Sequence, residues 1–256
     1  MNPLPKHSAS WNRLAPPLRP TTQTAQQMRD LCVTGETLLL GVTPEFHPLF
    51  DNLLAVDVNQ HMIDTVWPGD TESKKAILAD WKTMTWSPGQ FGNIISDGAL
   101  GLLGKLDNMV NFANKCKLWL KPNGRLIQRV FERPRIPVTI EELKYDLQAR
   151  TGLGWNGFKW KMVYYIAAKN NGPVELAKVR DLFNEIAPDR KYVAMSTGWN
   201  IDDINTIDLY ENIDTVTFVP DRQQWVCVFD IADFVETTGY DLADTCPIIV
   251  WKKDGK

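Results

Sequence analysis

The sequence predicts an α/β protein: a mainly parallel sheet with helices on both faces, and a helical insertion before the last strands. Two observations carry this. From Thr37 to Phe131, short unbroken apolar runs alternate with stretches of helical periodicity, the pattern of βαβ units whose strands are covered on both sides. From about Pro134 to Asn212 the strand signal disappears, and it returns only near the C-terminus.

The first 20 residues hold five of the 16 prolines and read as an extended arm. Gln23–Cys32 reads as a short helix capped by Thr21 or Thr22. The strands are then Thr37–Val42 (TLLLGV), Leu53–Val58 (LLAVDV), Lys75–Asp80 (KAILAD), Asn93–Asp97 (NIISD) and Arg125–Phe131 (RLIQRVF). The turn Lys121-Pro-Asn-Gly124 precedes the last of these. Asn59–Trp67 falls between the second and third strands as a helix with Asn59 at its N-cap. In Leu106–Leu120, Leu106, Met109, Val110, Ala113, Cys116 and Leu120 recur at helical spacing.

Beyond the break at Pro134–Pro137, Thr139–Arg150, Trp155–Lys169, Val174–Ile186 and Ile201–Tyr210 read as helices. Thr215–Pro220 is ambiguous, Asp221–Phe229 reads as a short helix, and Asp230–Val235 and Pro247–Lys252 read as the final strands. The chain thus divides into an arm with its first helix (1–36), a core (37–133), an insertion (134–212) and closing strands (213–256).

Composition narrows the function classes. With 44% hydrophobic and 23% charged residues, wholesale disorder is excluded. The longest apolar run, Met162–Ala168, is seven residues, far short of the roughly 20 a membrane span needs. The N-terminal segment has no apolar stretch of secretory type. Four scattered cysteines without CxxC spacing and only three histidines argue against a zinc site and for a reducing, cytoplasmic setting. A net charge of −3 argues against nucleic acid as a partner. The charge is nevertheless uneven: Lys115–Lys191 holds 16 basic and 8 acidic residues, whereas Asn200–Thr245 holds 11 acidic residues and one basic. Two solvated faces, self-complementary association into a homo-oligomer, and steering of a charged substrate are the readings this leaves open.

In a parallel sheet, ligands bind beyond the carboxyl ends of the strands. Those exits carry Gly41, Asp57, Asp80 and Asp97. One aspartate there is ordinarily a cap or turn residue. Three at successive exits instead converge on one crevice, able to hold hydroxyls and an ammonium group.

The order LLLGV, LLAVDV, AILADW, NIISDG and LKPNGRLIQRVF resembles the class I S-adenosylmethionine-dependent methyltransferases, which have a Rossmann-like sheet, over roughly Thr37–Phe131 and more weakly in the two final strands. The resemblance implies S-adenosyl-L-methionine as cofactor. It places Gly41, Val42 and Thr43 beside the methionine part and Asp57 on both ribose hydroxyls, with Val58 and Met62 close by. Asp80 would accept from the adenine amine while Trp81 lies on the ring. Asp97 and Gly98 would face the transferred methyl. The chain departs from the family at the first motif, where Leu39 stands at the usual acidic position and GVTPEF carries a single glycine. The ammonium would then rely on Asp97 or on backbone carbonyls. That same loop lacks the GxGxxG of a nicotinamide enzyme.

The remaining candidates surround this crevice. The arm offers Trp11 to shield a sulfonium and Arg19 (or Arg13) to pair with a carboxylate. The aromatic insertion offers Trp160 and Tyr165 as pocket walls, and Arg129 in the fifth strand offers a contact for a substrate carboxylate. Asp97 and Tyr164 are the candidate bases. The expected function is methyl transfer to a small or medium organic molecule, the insertion serving as a lid. The alternatives are a non-catalytic regulatory subunit that binds the cofactor, an RNA methyltransferase, or an enzyme using the cofactor for another reaction.

Overall fold

The computed structural model describes residues 8–230 and 232–255; the first seven residues of the arm lie outside that range. A 3-10 turn over Ser8–Arg13 leads into α1 (Thr22–Asp30), whose N-cap Thr21 accepts from the Thr24 amide. Alternating units follow: β1 (Thr37–Leu40), β2 (Leu53–Asp57), α2 (Gln60–Val66), β3 (Lys74–Leu78), β4 (Phe91–Asp97), α3 (Leu106–Trp119) and β5 (Leu120–Arg129). The predicted cap at Asn59 is present, its side chain accepting from the His61 amide.

The insertion comprises α4 (Ile140–Asp146), α5 (Trp155–Asn170), β6 (Pro173–Glu175), α6 (Leu176–Ile186), α7 (Arg190–Thr197), α8 (Ile201–Asn205) and β7 (Val216–Phe218). The chain then returns to the sheet through α9 (Arg222–Phe229), β8 (Asp233–Val235) and β9 (Ile248–Lys252).

Among the described residues, seven strands form one sheet in the order β3-β2-β1-β4-β5-β9-β8. β1 through β5 pair in parallel, and β9 runs antiparallel to both β5 and β8. This is the expected Rossmann-like, mainly parallel sheet, with its strand order reversing beside β1. The chain leaves β3 at one edge and returns as β4 on the other side of β1, and the crevice lies at that reversal, where such sheets take ligands. Buried side chains cover both faces: Leu38, Ile94, Phe112 and Trp225 on one, Leu39, Ile95, Met28 and Phe46 on the other.

The insertion has a core of its own, built on Phe158, Met162, Val163, Phe183 and Ile204, and this core reaches past residue 212 to Val219. The ambiguous stretch Thr215–Pro220 therefore belongs to the insertion, where β7 pairs antiparallel with β6. α7, with Asp189 as its cap, is a further helix that the sequence expectation omitted.

The two oppositely charged segments meet within the chain. Arg180 pairs with Asp208 and Glu211, Arg190 with Asp208, and Arg133 with Asp221. Among the described residues no helix is long and apolar enough to cross a membrane.

Candidate active site

The carboxyl ends of β1, β2 and β4 open into a cavity of about 280 Å³, close to the lower limit of roughly 300 Å³ for small-molecule sites. Its floor carries Gly41, Val42 and Thr43 after β1, Asp57 and Val58 at the end of β2, Met62 on α2, Trp81, and Asp97 and Gly98 at the end of β4. The arm closes one side with Trp11, Leu14 and Leu18. Phe131, Trp160, Leu176, Tyr210, Thr215 and Thr217 form the roof.

Local backbone geometry explains the floor. Gly41 has φ +94, and a Cβ there would meet nothing within 4 Å. Its left-handed conformation, natural only for glycine, turns the chain away from β1 and leaves the loop open to the cavity. The Gly41 amide donates to the Val56 carbonyl at 2.8 Å, which ties this turn to β2. Gly98 has φ +66, and its missing Cβ is needed because one would lie 2.6 Å from Phe131. The Phe131 ring is therefore seated directly on the β4 exit.

Asp57 stands at the rim, its Oδ1 accepting from the Asn59 amide at 2.8 Å. Burial pushes its carboxyl above the ordinary carboxylate range, and the amides of Asn59 and Val58 pull it part of the way back. A carboxylate has acceptor sites beyond this one bond. The Trp81 indole N–H donates to the Val56 carbonyl at 3.0 Å, so its ring is fixed as a wall. Neighbouring Phe112 stacks on it with centroids 6.3 Å apart.

Several sequence-predicted residues stand elsewhere. β3 ends at Leu78, so Asp80 sits two residues beyond the strand, where its Oδ1 accepts from the Lys82 amide at 2.8 Å. It is a turn residue and does not line the cavity. Arg19 does not line it either: its guanidinium donates to Glu45 and lies 5.7 Å from the centre of the Trp11 ring.

Tyr164 is buried, and its hydroxyl donates to Thr245 Oγ1 at 2.7 Å. Burial raises its pKa well above the ordinary phenol value, so it is a structural phenol and not a base. Tyr165 points outward, with the Lys169 ammonium 4.2 Å from its ring centre.

Arg129 is the largest departure. It is 1% exposed, and its Nε donates to Asp97 Oδ1 in a pair buried on both sides. Its Nη2 donates to the Pro17 carbonyl at 2.9 Å. Burial opposes the charge, but Asp97 outweighs burial and holds the guanidinium protonated above its ordinary range. Arg129 thus has its donors engaged by the protein and is no free contact for a substrate carboxylate. Asp97, in turn, lines the cavity as an ion-paired acceptor and not as a free base.

The sequence reading missed most of the roof. Phe131 follows β5 directly and was within reach of the strand-exit rule. Thr215 and Thr217 show the two-residue alternation of a strand, whereas Tyr210 carried no local signal. The arm is pinned at separate places: Arg19 to Glu45, Arg129 to the Pro17 carbonyl, and Arg13 to Asp203 at 3.1 Å and Asp202 at 3.5 Å.

No protein-family model matches the chain, and no curated protein matches its sequence significantly. Solved structures share its fold. An S-adenosylmethionine-dependent methyltransferase from Methanosarcina mazei aligns over 87% of this chain and 93% of its own, with TM-score 0.50 and 12% identity. A protein from Listeria monocytogenes, provisionally assigned as an enzyme of that kind, aligns over 90% and 97%, with TM-score 0.51 and 12% identity. A Rhodobacter sphaeroides protein provisionally assigned as a zinc-dependent alcohol dehydrogenase aligns over 99% of both chains, with TM-score 0.57 and 9% identity. At these identities the likeness is one of fold. Among the described residues no group of three or more His, Cys, Asp or Glu is placed to hold a metal ion.

Proposed function

We propose that this protein is an S-adenosylmethionine-dependent methyltransferase acting on a small organic molecule. The observation that carries the reading is Asp57 at the end of β2, on the rim of a cavity at the strand-order reversal. The residues present fit the cofactor. Asp57 has acceptor capacity for two ribose hydroxyls. Trp81, Val58 and Met62 offer apolar walls for the adenine. The open turn at Gly41-Val42-Thr43 and the Asp97 carboxylate take the methionine end.

When bound, S-adenosylmethionine supplies an electrophilic methyl on its sulfonium. The protein aligns an acceptor with that methyl and keeps water out; such alignment is worth up to about 7–11 kcal/mol. The arm and the insertion serve the exclusion by closing the cavity from two sides. An arm and an insertion that line the same cavity favour a small molecule over RNA, which needs an open groove. Cys32, Cys116, Cys227 and Cys246 all carry free thiols, which supports a reducing, cytoplasmic setting.

The test is product analysis. Purified protein incubated with S-adenosylmethionine and a panel of small acceptors is expected to release S-adenosylhomocysteine together with a methylated acceptor. Binding of the cofactor with no turnover across a broad panel would favour the regulatory-subunit reading instead.

A further inference from the structure

One buried bond and several contacts nearer the surface hold the arm over the cavity. Arg129 Nη2 donates to the Pro17 carbonyl at 2.9 Å, from a side chain that is 1% exposed. Arg13 is half-exposed and pairs with Asp203 at 3.1 Å and Asp202 at 3.5 Å, its carbonyl accepts from the Asn156 side-chain amide at 3.3 Å, and Arg19 pairs with Glu45. Exposed ion pairs such as those of Arg13 are worth little. Seating the arm also has a cost, because the Trp11 indole N–H and one Glu45 oxygen are buried without hydrogen-bond partners. A closed position balanced in this way is readily shifted by a ligand.

The same guanidinium grips the cavity carboxylate. Its Nε donates to Asp97 Oδ1, and its Nη1 reaches the Tyr240 hydroxyl at 3.5 Å. The Asp97 side chain is 3% exposed and lines the cavity. Its second oxygen takes no hydrogen bond from the described residues. A buried acceptor left open in a cavity wall calls for a donor on the ligand. The guanidinium is a rigid planar fork, so its Nε and Nη2 move as one body. A donor that fixes Asp97 therefore fixes the group that grips the arm.

We propose that Arg129 is a positioning residue: acting through Asp97, it couples occupation of the cavity to seating of the arm, so that cofactor and arm strengthen each other's hold. The proposal rests on the methyltransferase reading, in which Asp97 takes the methionine end, and adds a regulation of that same site.

Amide hydrogen exchange in the full-length protein, with and without S-adenosylhomocysteine, tests it. The reporters are the Leu14 and Leu18 amides, bonded to the Trp11 and Ala15 carbonyls at 3.0 and 3.1 Å. S-adenosylhomocysteine is expected to slow their exchange about fivefold or more. Arg129→Lys keeps a cation beside Asp97 but lacks the fork. It should bind S-adenosylhomocysteine more weakly by that same factor, as reciprocity requires, and lose most of the slowing. A residue that served stability alone would speed exchange equally in both states and leave their ratio untouched. Arg13→Gln alters only an exposed pin, so it should fold normally, speed exchange in both states and keep the ratio. Three results overturn the proposal: no slowing in unaltered protein that binds S-adenosylhomocysteine, full slowing in Arg129→Lys, or slowing lost in Arg13→Gln. If S-adenosylhomocysteine gives no heat by calorimetry, the methyltransferase reading itself fails, and the coupling with it.

Discussion

The floor of the cavity and its roof each bury a cation, and they treat it differently. In the floor, Arg129 is 1% exposed and is met by a carboxylate, a carbonyl and a phenol. In the roof, Lys159 is 2% exposed and is met by the face of Tyr210, with Asp203 attracting it through space. Burial therefore leaves Arg129 firmly charged, whereas it lowers the Lys159 pKa to about 8, Asp203 pulling it only partly back. The contrast teaches that the strand ends are built around a satisfied charge, while the insertion tolerates a costly one.

The largest expected effect follows from breaking the satisfied pair. Arg129→Met leaves Asp97 buried without its partner and frees the Pro17 carbonyl, so unfolding stability should fall by about 3–5 kcal/mol. Chemical denaturation would read this, and a loss below about 1 kcal/mol would show that the pair does not hold the floor.

The same exchange in the roof should have the opposite sign. The unfolded Lys159 side chain titrates near 10.5 and the folded one near 8. Between these values the unfolded chain binds more protons, so the Lys159 contribution to stability rises with pH, and below about pH 8 its full cost is present. Lys159→Met should thus stabilise the protein by roughly 1–3 kcal/mol at pH 7. That advantage should shrink as the pH climbs from 8 towards 10.5. Thermal unfolding of both proteins at pH 7 and pH 10 tests the sign, and a variant less stable than its parent at pH 7 contradicts it.

A smaller effect separates structure from chemistry. Tyr164→Phe removes the bond to Thr245 and should cost about 1 kcal/mol. The pH profile of methyl transfer should not move, because the phenol stays protonated. A variant that loses a rise in rate with pH shown by the unaltered protein would restore Tyr164 as a base.

The floor was legible in the sequence for a physical reason. Strand exits are set by the chain itself, so Gly41, Asp57 and Asp97 could be placed on one edge from apolar runs and turns. Asp80 misled because β3 is an edge strand that is only half-buried, and its polar boundary blurs the exit by two residues. Arg129 was visible as a cation in a buried strand, but its partner lies on another strand 32 residues away, and local pattern does not report such pairings.

The roof was illegible for a related reason. α5 is buried around nearly its whole circumference, so helical periodicity could not say whether Tyr164, Tyr165 or Trp160 faces the site. β6 and β7 are three residues each, too short to announce themselves, and Tyr210 reaches the cavity only through tertiary packing.

The carboxylate on the rim carries the whole functional account, and titration calorimetry with S-adenosylhomocysteine tests it most directly. The unaltered protein should bind with measurable heat, and Asp57→Ala should weaken binding by about ten- to a hundred-fold, the worth of hydrogen bonds to a charged group. Absence of heat with the unaltered protein, or equal affinity in the two, would contradict the account.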